Sequence, residues 1–237
     1  MRKSAPTCPG TVSVAVEASD EVTLFTIAEF VYDHVAKPLP GEGHVHSWNN
    51  CGLHLDHRRD KFDVMAGRAE WRDRLNAVLK FFEDGYALST DGEIVRLAPN
   101  GMAKLVTTPP PTGTEDTNAA KLANAVHTFQ LGRSTREQRK QAVRDLADIL
   151  EYHRPAVVLH LGKETEKDLF NIANNFSLRH HRATQKDDYD DAWLTWMFYT
   201  YLASVHIVLG RVAGSEPFAE PALAAVATDP TDDDLPF

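Results

Sequence analysis

Cysteine is nearly missing: Cys8 and Cys51 are the only two in 237 residues, too few for the disulfide framework that holds small secreted domains together. Long hydrophobic runs are missing too. No uninterrupted apolar stretch approaches the roughly 18 residues of a membrane-spanning helix, and the opening MRKSAPTCPG has no apolar region of the signal-peptide kind. Positive charge is in deficit, with 25 Lys and Arg against 34 Asp and Glu, a formal charge of -9 and a pI near 5.6. This excludes a protein that coats nucleic-acid phosphate over its whole surface, while leaving room for a local basic patch. The expectation is a soluble cytoplasmic protein with no membrane association, long enough for one large or two small cored domains.

What the chain does have is concentrated in residues 167–211. Leu169, Ile172, Ala173 and Phe176 recur at helical spacing, so one side of that helix packs while Asn174, Asn175, Arg179 and His180 gather near its end. A polar turn over 181–186 follows, and then Asp187, Asp188, Asp190 and Asp191 supply cap candidates and negative charge for the next helix start. That helix carries Trp193, Trp196, Met197, Phe198, Tyr199, Tyr201, Leu202, Val205, Ile207 and Val208. So much apolar surface cannot form a single stripe; it predicts a central helix or a dimer seam.

In chain order, 1–21 reads as an irregular leader and 22–106 as a small α+β domain. Leu24, Ile27, Ala28, Val31 and Val35 predict a helix stopped by Pro38 and Pro40. A Gly-, His- and Asn-rich loop follows. Residues 67–82 are again helical, with Trp71, Leu75, Val78, Leu79 and Phe82 on one side and Arg68, Arg72, Arg74 and Lys80 elsewhere. The run GYALSTDGEIVRL then alternates Tyr86, Leu88, Ile94 and Leu97 about a Thr-Asp-Gly turn, a hairpin signal. Helix followed by two-stranded wing reads as a winged-helix-like module, or as an α+β subdomain that only packs.

Residues 107–116, TTPPPTGTED, form the clearest linker, since the proline run cannot join a helix. From 117 to 212 the pattern is helical. Ala119, Leu122, Ala123, Val126 and Phe129 mark one helix; Gly132 breaks it, and Ser134 with Glu137 fits a capping box. The next helix turns Val143, Leu146, Ala147, Ile149 and Leu150 inward and Arg136, Arg139, Lys140 and Arg144 outward, and Pro155 ends it. Residues 156–161 read as a short apolar connector. Short connections between helices imply an antiparallel bundle. The fold class is therefore mainly α, a helical bundle preceded by a small α+β domain, with 213–237 as a disordered acidic tail.

The order of a capped basic helix, DLADILEYHR, DLFNIANNFSLRHH with Gln185 and Tyr189 following, and an aromatic helix resembles the helical domains of the HEPN superfamily, in particular the AbiJ-like abortive-infection group. HSWNNCGLH, GRAEWRDRLNAVL and GYALSTDGEIVRL resemble the small winged domains found ahead of such bundles. The resemblance implies a cofactor-free, metal-independent RNA endonuclease of antiviral defence, a toxin acting as a homodimer with its motif at the subunit seam. The pattern of the superfamily is an Arg with a His four to six residues further on. Here Asn174 stands where that Arg is expected before His180, and Arg179 lies beside the His; Arg154 and His160 in RPAVVLH fit the spacing a second time.

Cleavage of RNA by transesterification needs a base for the ribose hydroxyl, an acid for the leaving oxygen and cationic donors for the phosphorane. His180 or His181 fits the proton work, Arg179, Arg182 and Lys186 fit phosphate binding, and Asn174 or Asn175 fits orientation of the imidazole. The competing reading makes the Asn/Arg/His set a structural cluster bonded to Asp188 or Asp191 in a non-catalytic protein- or nucleic-acid-binding module.

His44, His46, Cys51, His54 and His57 have side chains that suit zinc, but no C-x-x-C element accompanies them, and buried or solvated loop residues are the other reading. Finally, Asp232, Asp233, Asp234, Leu235, Pro236 and Phe237 resemble the C-terminal tip of bacterial single-stranded DNA-binding proteins. The resemblance implies docking on proteins that read that tip, with the Phe237 ring in an apolar pocket and the acids steering toward a basic rim. An acidic solubilising tail is the alternative.

Overall fold

The computed structural model describes residues 20–39, 45–47, 53–55, 62–82, 85–111, 113–176 and 189–215. Among them the chain is mainly α, with eight helices and three two-stranded antiparallel sheets. It divides into two compact units, Met1–Ala103 with Val126–Arg139, and Lys104–Ala125 with Lys140–Phe237.

The first unit begins with α1 (Glu21–His34), started by Asp20, whose carboxylate accepts the Thr23 N–H at 2.8 Å. Its buried face is Phe25, Ala28 and Tyr32; Ala28 belongs to the expected stripe, whereas Leu24, Ile27, Val31 and Val35 are only half-buried, so the face is rotated. β1 (Lys37–Pro38) pairs with β4 (Phe62–Asp63), and β2 (Val45–Ser47) with β3 (Leu53–Leu55). Asp63 then caps α2 (Val64–Leu79) by accepting the Ala66 N–H at 2.8 Å. That cap starts the helix three residues ahead of the expected Gly67. Gly67 instead serves packing: a Cβ there would stand 2.5 Å from the Ala36 Cα.

The hairpin follows as β5 (Tyr86–Leu88) and β6 (Ile94–Arg96), in register Tyr86 to Arg96 and Leu88 to Ile94. Tyr86, Leu88 and Ile94 point inward against Phe25, Ala28 and Tyr32, and Trp71, Leu75 and Leu79 of α2 complete this core. Leu97 lies beyond the strand and is exposed, as are Val78 of α2 and Phe82 just past its end, so the apolar face here is narrower than the sequence suggests. Side chains bond backbone throughout the unit: Trp71 Nε1 donates to the Ala28 carbonyl at 3.2 Å, Arg68 Nε to Tyr32 at 3.1 Å, and Glu29 accepts the Ile94 N–H at 2.9 Å. Tyr32 donates its hydroxyl to the Thr90 carbonyl at the hairpin turn. Residues 126–139 add an edge: the Gly132 N–H donates to the Ile94 carbonyl at 2.7 Å, and Arg96 donates to the Gly132 carbonyl at 3.1 Å.

Two helices follow α3 (Ala103–Thr107): α4 (Asp116–Gln130) and α5 (Arg136–Tyr152). Because α5 starts at Arg136, its cap is Thr135, not Ser134. The Thr135 N–H donates to Gln138 Oε1 at 2.8 Å and the Gln138 N–H to Thr135 Oγ1 at 3.2 Å, a reciprocal capping box one residue later than Ser134 and Glu137. Val143, Leu146, Ala147, Ile149 and Leu150 are buried, as expected, and Ala142 joins them. Arg139 and Lys140, expected outside, are buried as well; the Arg139 guanidinium lies over the Phe129 ring at 4.7 Å and the Lys140 ammonium over Tyr189 at 5.6 Å.

The apolar stretch read as a connector is a helix, α6 (Arg154–Leu161). Pro155 sits in its first turn, where the missing N–H is harmless, so the proline that ends α5 also starts α6. Gly162, at φ 89°, separates it from α7 (Lys163–Asn175). Last comes α8 (Asp191–Val212), with Asp190 as cap and residues buried on nearly every side, Leu194, Met197, Phe198, Tyr201, Leu202 and Val205 among them. It is long and apolar enough to cross a membrane by length and composition, and 56% of that stretch is buried inside the protein, as a core helix requires. The Tyr201 hydroxyl donates to the Leu169 carbonyl at 2.5 Å, and α6 packs on both α7 and α8.

Candidate functional site at the junction of the last two helices

Leu169, Phe170 and Ala173 bury one face of α7, which leaves Asn174 and Asn175 exposed in its final turn. The helix stops at Phe176, and the chain is described again from Tyr189. Arg179, His180, His181, Arg182 and Lys186 fall between those two residues, outside the described part; only Asn174 and Asn175 of the expected catalytic set lie within it. The residues on either side of that stretch are nevertheless in contact. The rings of Phe176 and Tyr189 meet edge to face with centroids 5.5 Å apart, and Phe176 stacks on Trp193 at 5.7 Å with 24° between planes. Trp193 in turn meets Trp196 at 5.5 Å, edge to face.

The stretch bearing the Asn/Arg/His set therefore begins and ends at one aromatic cluster. Asp190 holds the start of α8 by accepting the Trp193 N–H at 3.0 Å, which directs the first turn of the helix toward Phe176. Tyr189 is buried, whereas Trp193 and Trp196 are 48% and 46% exposed. The apolar excess of α8 predicts a central helix or a dimer seam, and does not say on which of the two counts the indoles fall. Their i, i+3 spacing did put them on one face; that this face is open was not readable from an otherwise apolar helix.

The second Arg/His fit is engaged elsewhere. Arg154 donates through Nε to Glu166 Oε1 at 2.6 Å, its terminal nitrogen lies 2.5 Å from the same oxygen, and its guanidinium covers the Phe170 ring at 4.6 Å. His160 is exposed six residues along α6, roughly 120° around the helix axis from Arg154. The two do not converge on one phosphate. Compared with models of protein families, with curated proteins and with solved structures, the chain matches none.

Of the zinc candidates, His44, Cys51 and His57 fall outside the described residues, and His46 and His54 stand directly opposite one another in the β2–β3 ladder. Among the described residues no group of three or more His, Cys, Asp or Glu is placed to hold a metal ion. Residues 232–237 are likewise outside the described part. The cations of α2 have acidic neighbours: Arg74 pairs with Glu70 at 2.5 Å, Arg68 approaches Asp33 at 3.8 Å, and Arg72 approaches Asp73 at 4.0 Å. Lys37 also reaches Glu70 at 2.9 Å and, with Arg74, holds that carboxyl below its ordinary range.

One further titratable group is buried. His206, 2% exposed in α8, has Nε2 at 3.0 Å from the Leu105 carbonyl, and burial lowers its pKa from the usual 6.5. Its burial couples its protonation to stability.

Proposed function

We propose that the protein is a phage-defence effector of the abortive-infection kind, a homodimeric, metal-independent RNA endonuclease with an HEPN-like bundle and a winged-helix-like domain ahead of it. The observation that supports the reading is the edge-to-face contact between Phe176 and Tyr189, the described residues on either side of 177–188, with exposed Asn174 and Asn175 in the turn before Phe176. Arg154, being bonded to Glu166, is not assigned a catalytic part. In the proposed reaction one imidazole, His180 or His181, takes the proton of the ribose 2′-hydroxyl, whose oxygen attacks the adjacent phosphorus. The bond to the 5′ oxygen breaks, that oxygen receives a proton from the second imidazole, and a cyclic phosphate remains. Arg179, Arg182 and Lys186 neutralise the phosphorane, and Asn174 or Asn175 orients a ring.

The paired cations of α2 give a nucleic-acid role for the winged-helix-like part no support. Residues 232–237 serve in this proposal as a dock for proteins that read the tip of single-stranded DNA-binding protein; retained affinity of a peptide of residues 221–237 for such a reader after Phe237→Ala would refute that part. The nuclease is tested by incubating purified protein with total cellular RNA and tRNA in EDTA. Cleavage that survives chelation and vanishes in His180→Ala is the expected result. Intact RNA with folded, dimeric wild type replaces the nuclease with a non-catalytic binding module.

A further inference from the structure

We propose that α8 is the seam of the homodimer and lies antiparallel against α8 of a second copy of this chain. The inference takes from the proposed function only that the protein pairs with itself, and adds the surface and the direction of the pairing.

From Trp196 to Gly210 every residue of α8 is buried except Trp196, Thr200, Ala203 and Ile207. Trp196 is 46% exposed and the other three are half-buried; Trp193, one turn earlier, is 48% exposed. The open positions thus follow one another at steps of three, four, three and four residues. They hold no charged side chain. The solvent-facing side of an ordinary surface helix is broad and polar, whereas a narrow uncharged stripe at alternating steps of three and four is the seam by which one helix packs along another. Behind it stand Leu194, Met197, Phe198, Tyr201 and Leu202, fully buried, so the stripe is carried by a helix that the core already holds in place. A surface ordered in advance limits the entropy that association has to overcome.

The residues along the stripe select its occupant. Bulk is gathered at the N-terminal end, in two indoles; Thr200 and Ala203 in the middle are small, and Gly210, next in the series after Ile207, has no side chain. A second copy turned end for end complements this. In antiparallel pairing Trp193 comes opposite Gly210, Trp196 opposite Ile207 and Thr200 opposite Ala203, so the bulky end of each helix lies on the slim end of the other and the small centre lets the backbones approach. A parallel copy would set indole on indole and leave the Gly210 end unfilled. Charge selects the same direction. Asp190 and Asp191 are exposed at the start of α8 and Arg211 is exposed at its end. Antiparallel pairing brings each Arg211 level with the two acids of the second copy, whereas a parallel one would place acid beside acid. Because both helices offer the same patch, the contact is closed and stops at two copies.

The test is sedimentation equilibrium of the full chain, with far-UV circular dichroism to confirm that each variant is folded. Wild type is expected to be a dimer. Ala203→Arg places a large cation at the centre of the seam and raises the dissociation constant by at least about tenfold. Trp196→Ala, which removes a side chain nearly half in water in the single copy, does the same and guards against a folding defect in the first variant. Arg211→Asp weakens the dimer by about threefold or more, and Asp191→Arg added to it restores part of the loss. Monomeric wild type overturns the proposal, whatever else covers the stripe; so does a dimer whose dissociation constant is unchanged in folded Ala203→Arg and Trp196→Ala. A double charge variant weaker than Arg211→Asp overturns the antiparallel direction. The nuclease reading fails separately: a dimer broken by Ala203→Arg with no cleavage of RNA by wild type leaves the seam standing, and cleavage by a monomeric wild type leaves only the nuclease.

Discussion

Asn76 satisfies both backbone groups of Leu88: its Oδ1 accepts the Leu88 N–H at 2.6 Å and its Nδ2 donates to the Leu88 carbonyl at 3.1 Å. A side chain of α2 thus bonds β5 as a neighbouring strand would, in a hairpin too short to stabilise itself. Asn76→Ala leaves a donor and an acceptor without partners beside a buried leucine, at a cost of about 2 kcal/mol or more. Asn76→Asp keeps the acceptor and turns a carboxylate oxygen toward the Leu88 carbonyl, and is destabilising too. Denaturant midpoints of the two variants check this; a midpoint equal to wild type in Asn76→Ala would remove the bond pair from the account of the hairpin.

The Arg154–Glu166 pair predicts a non-additive double substitution. Glu166 is 7% exposed. Arg154→Ala strands its carboxylate and is expected to cost about 1–3 kcal/mol, discounted because the guanidinium is half in water. Arg154→Met with Glu166→Leu removes both charges and costs less than Arg154→Ala alone. A double variant less stable than the single one contradicts the desolvation argument.

His206 gives the protein an acid-sensitive term. Its folded pKa lies below the usual 6.5, so the unfolded chain takes up a proton more readily than the folded one. Stability from this group is complete above about 6.5, falls as the pH drops through that value, and stops falling once the pH is below the lowered folded pKa. His206→Gln retains an N–H for the Leu105 carbonyl and does not titrate. Its unfolding free energy, followed from about pH 8 to about pH 5, should lose less than that of wild type; parallel curves would show that the ring titrates as freely folded as unfolded.

Gly67 is expected to tolerate no side chain. In Gly67→Ala the new methyl meets the Ala36 and Lys37 backbone, with three atoms at 2.5 to 2.7 Å, and only movement of α2 relieves it. The loss should be about 1–3 kcal/mol, the cost of overpacking, despite the better helix propensity of alanine. A thermal midpoint raised by the substitution would mean that propensity outweighs the contact.

The parts of the fold carried by periodicity could be read in advance. The inward residues of α5 and the extensive burial of the middle of α8 follow from apolar spacing and apolar excess. The hairpin follows from Tyr86, Leu88 and Ile94 alternating about a glycine turn. What periodicity does not encode was missed. Arg139 and Lys140 look solvent-facing until the rings of Phe129 and Tyr189 are placed under them, and those rings come from other segments. Ser134-Thr135 offers two overlapping capping boxes, and the register of α5 decides between them. Residues 156–161 are too short to show a helical period, so α6 passed for a connector. At the candidate site the polar set was legible as composition, whereas apolar excess left α8 as a central helix or a dimer seam without saying which rings stay open, since an exposed Trp and a buried one are the same letter.

Residues 126–139 belong with the first unit although they follow the proline-rich stretch. They bring to it the bonds of Gly132 with Ile94 and Arg96, the His127–Glu93 contact at 2.7 Å and the approach of Arg133 to Glu29 at 3.5 Å. A single scission at residues 107–116 would strip that edge from the hairpin along with everything beyond. The first unit is thus not a module that recombination could exchange with one crossover, and swapping it between proteins would require carrying two separate stretches of sequence together.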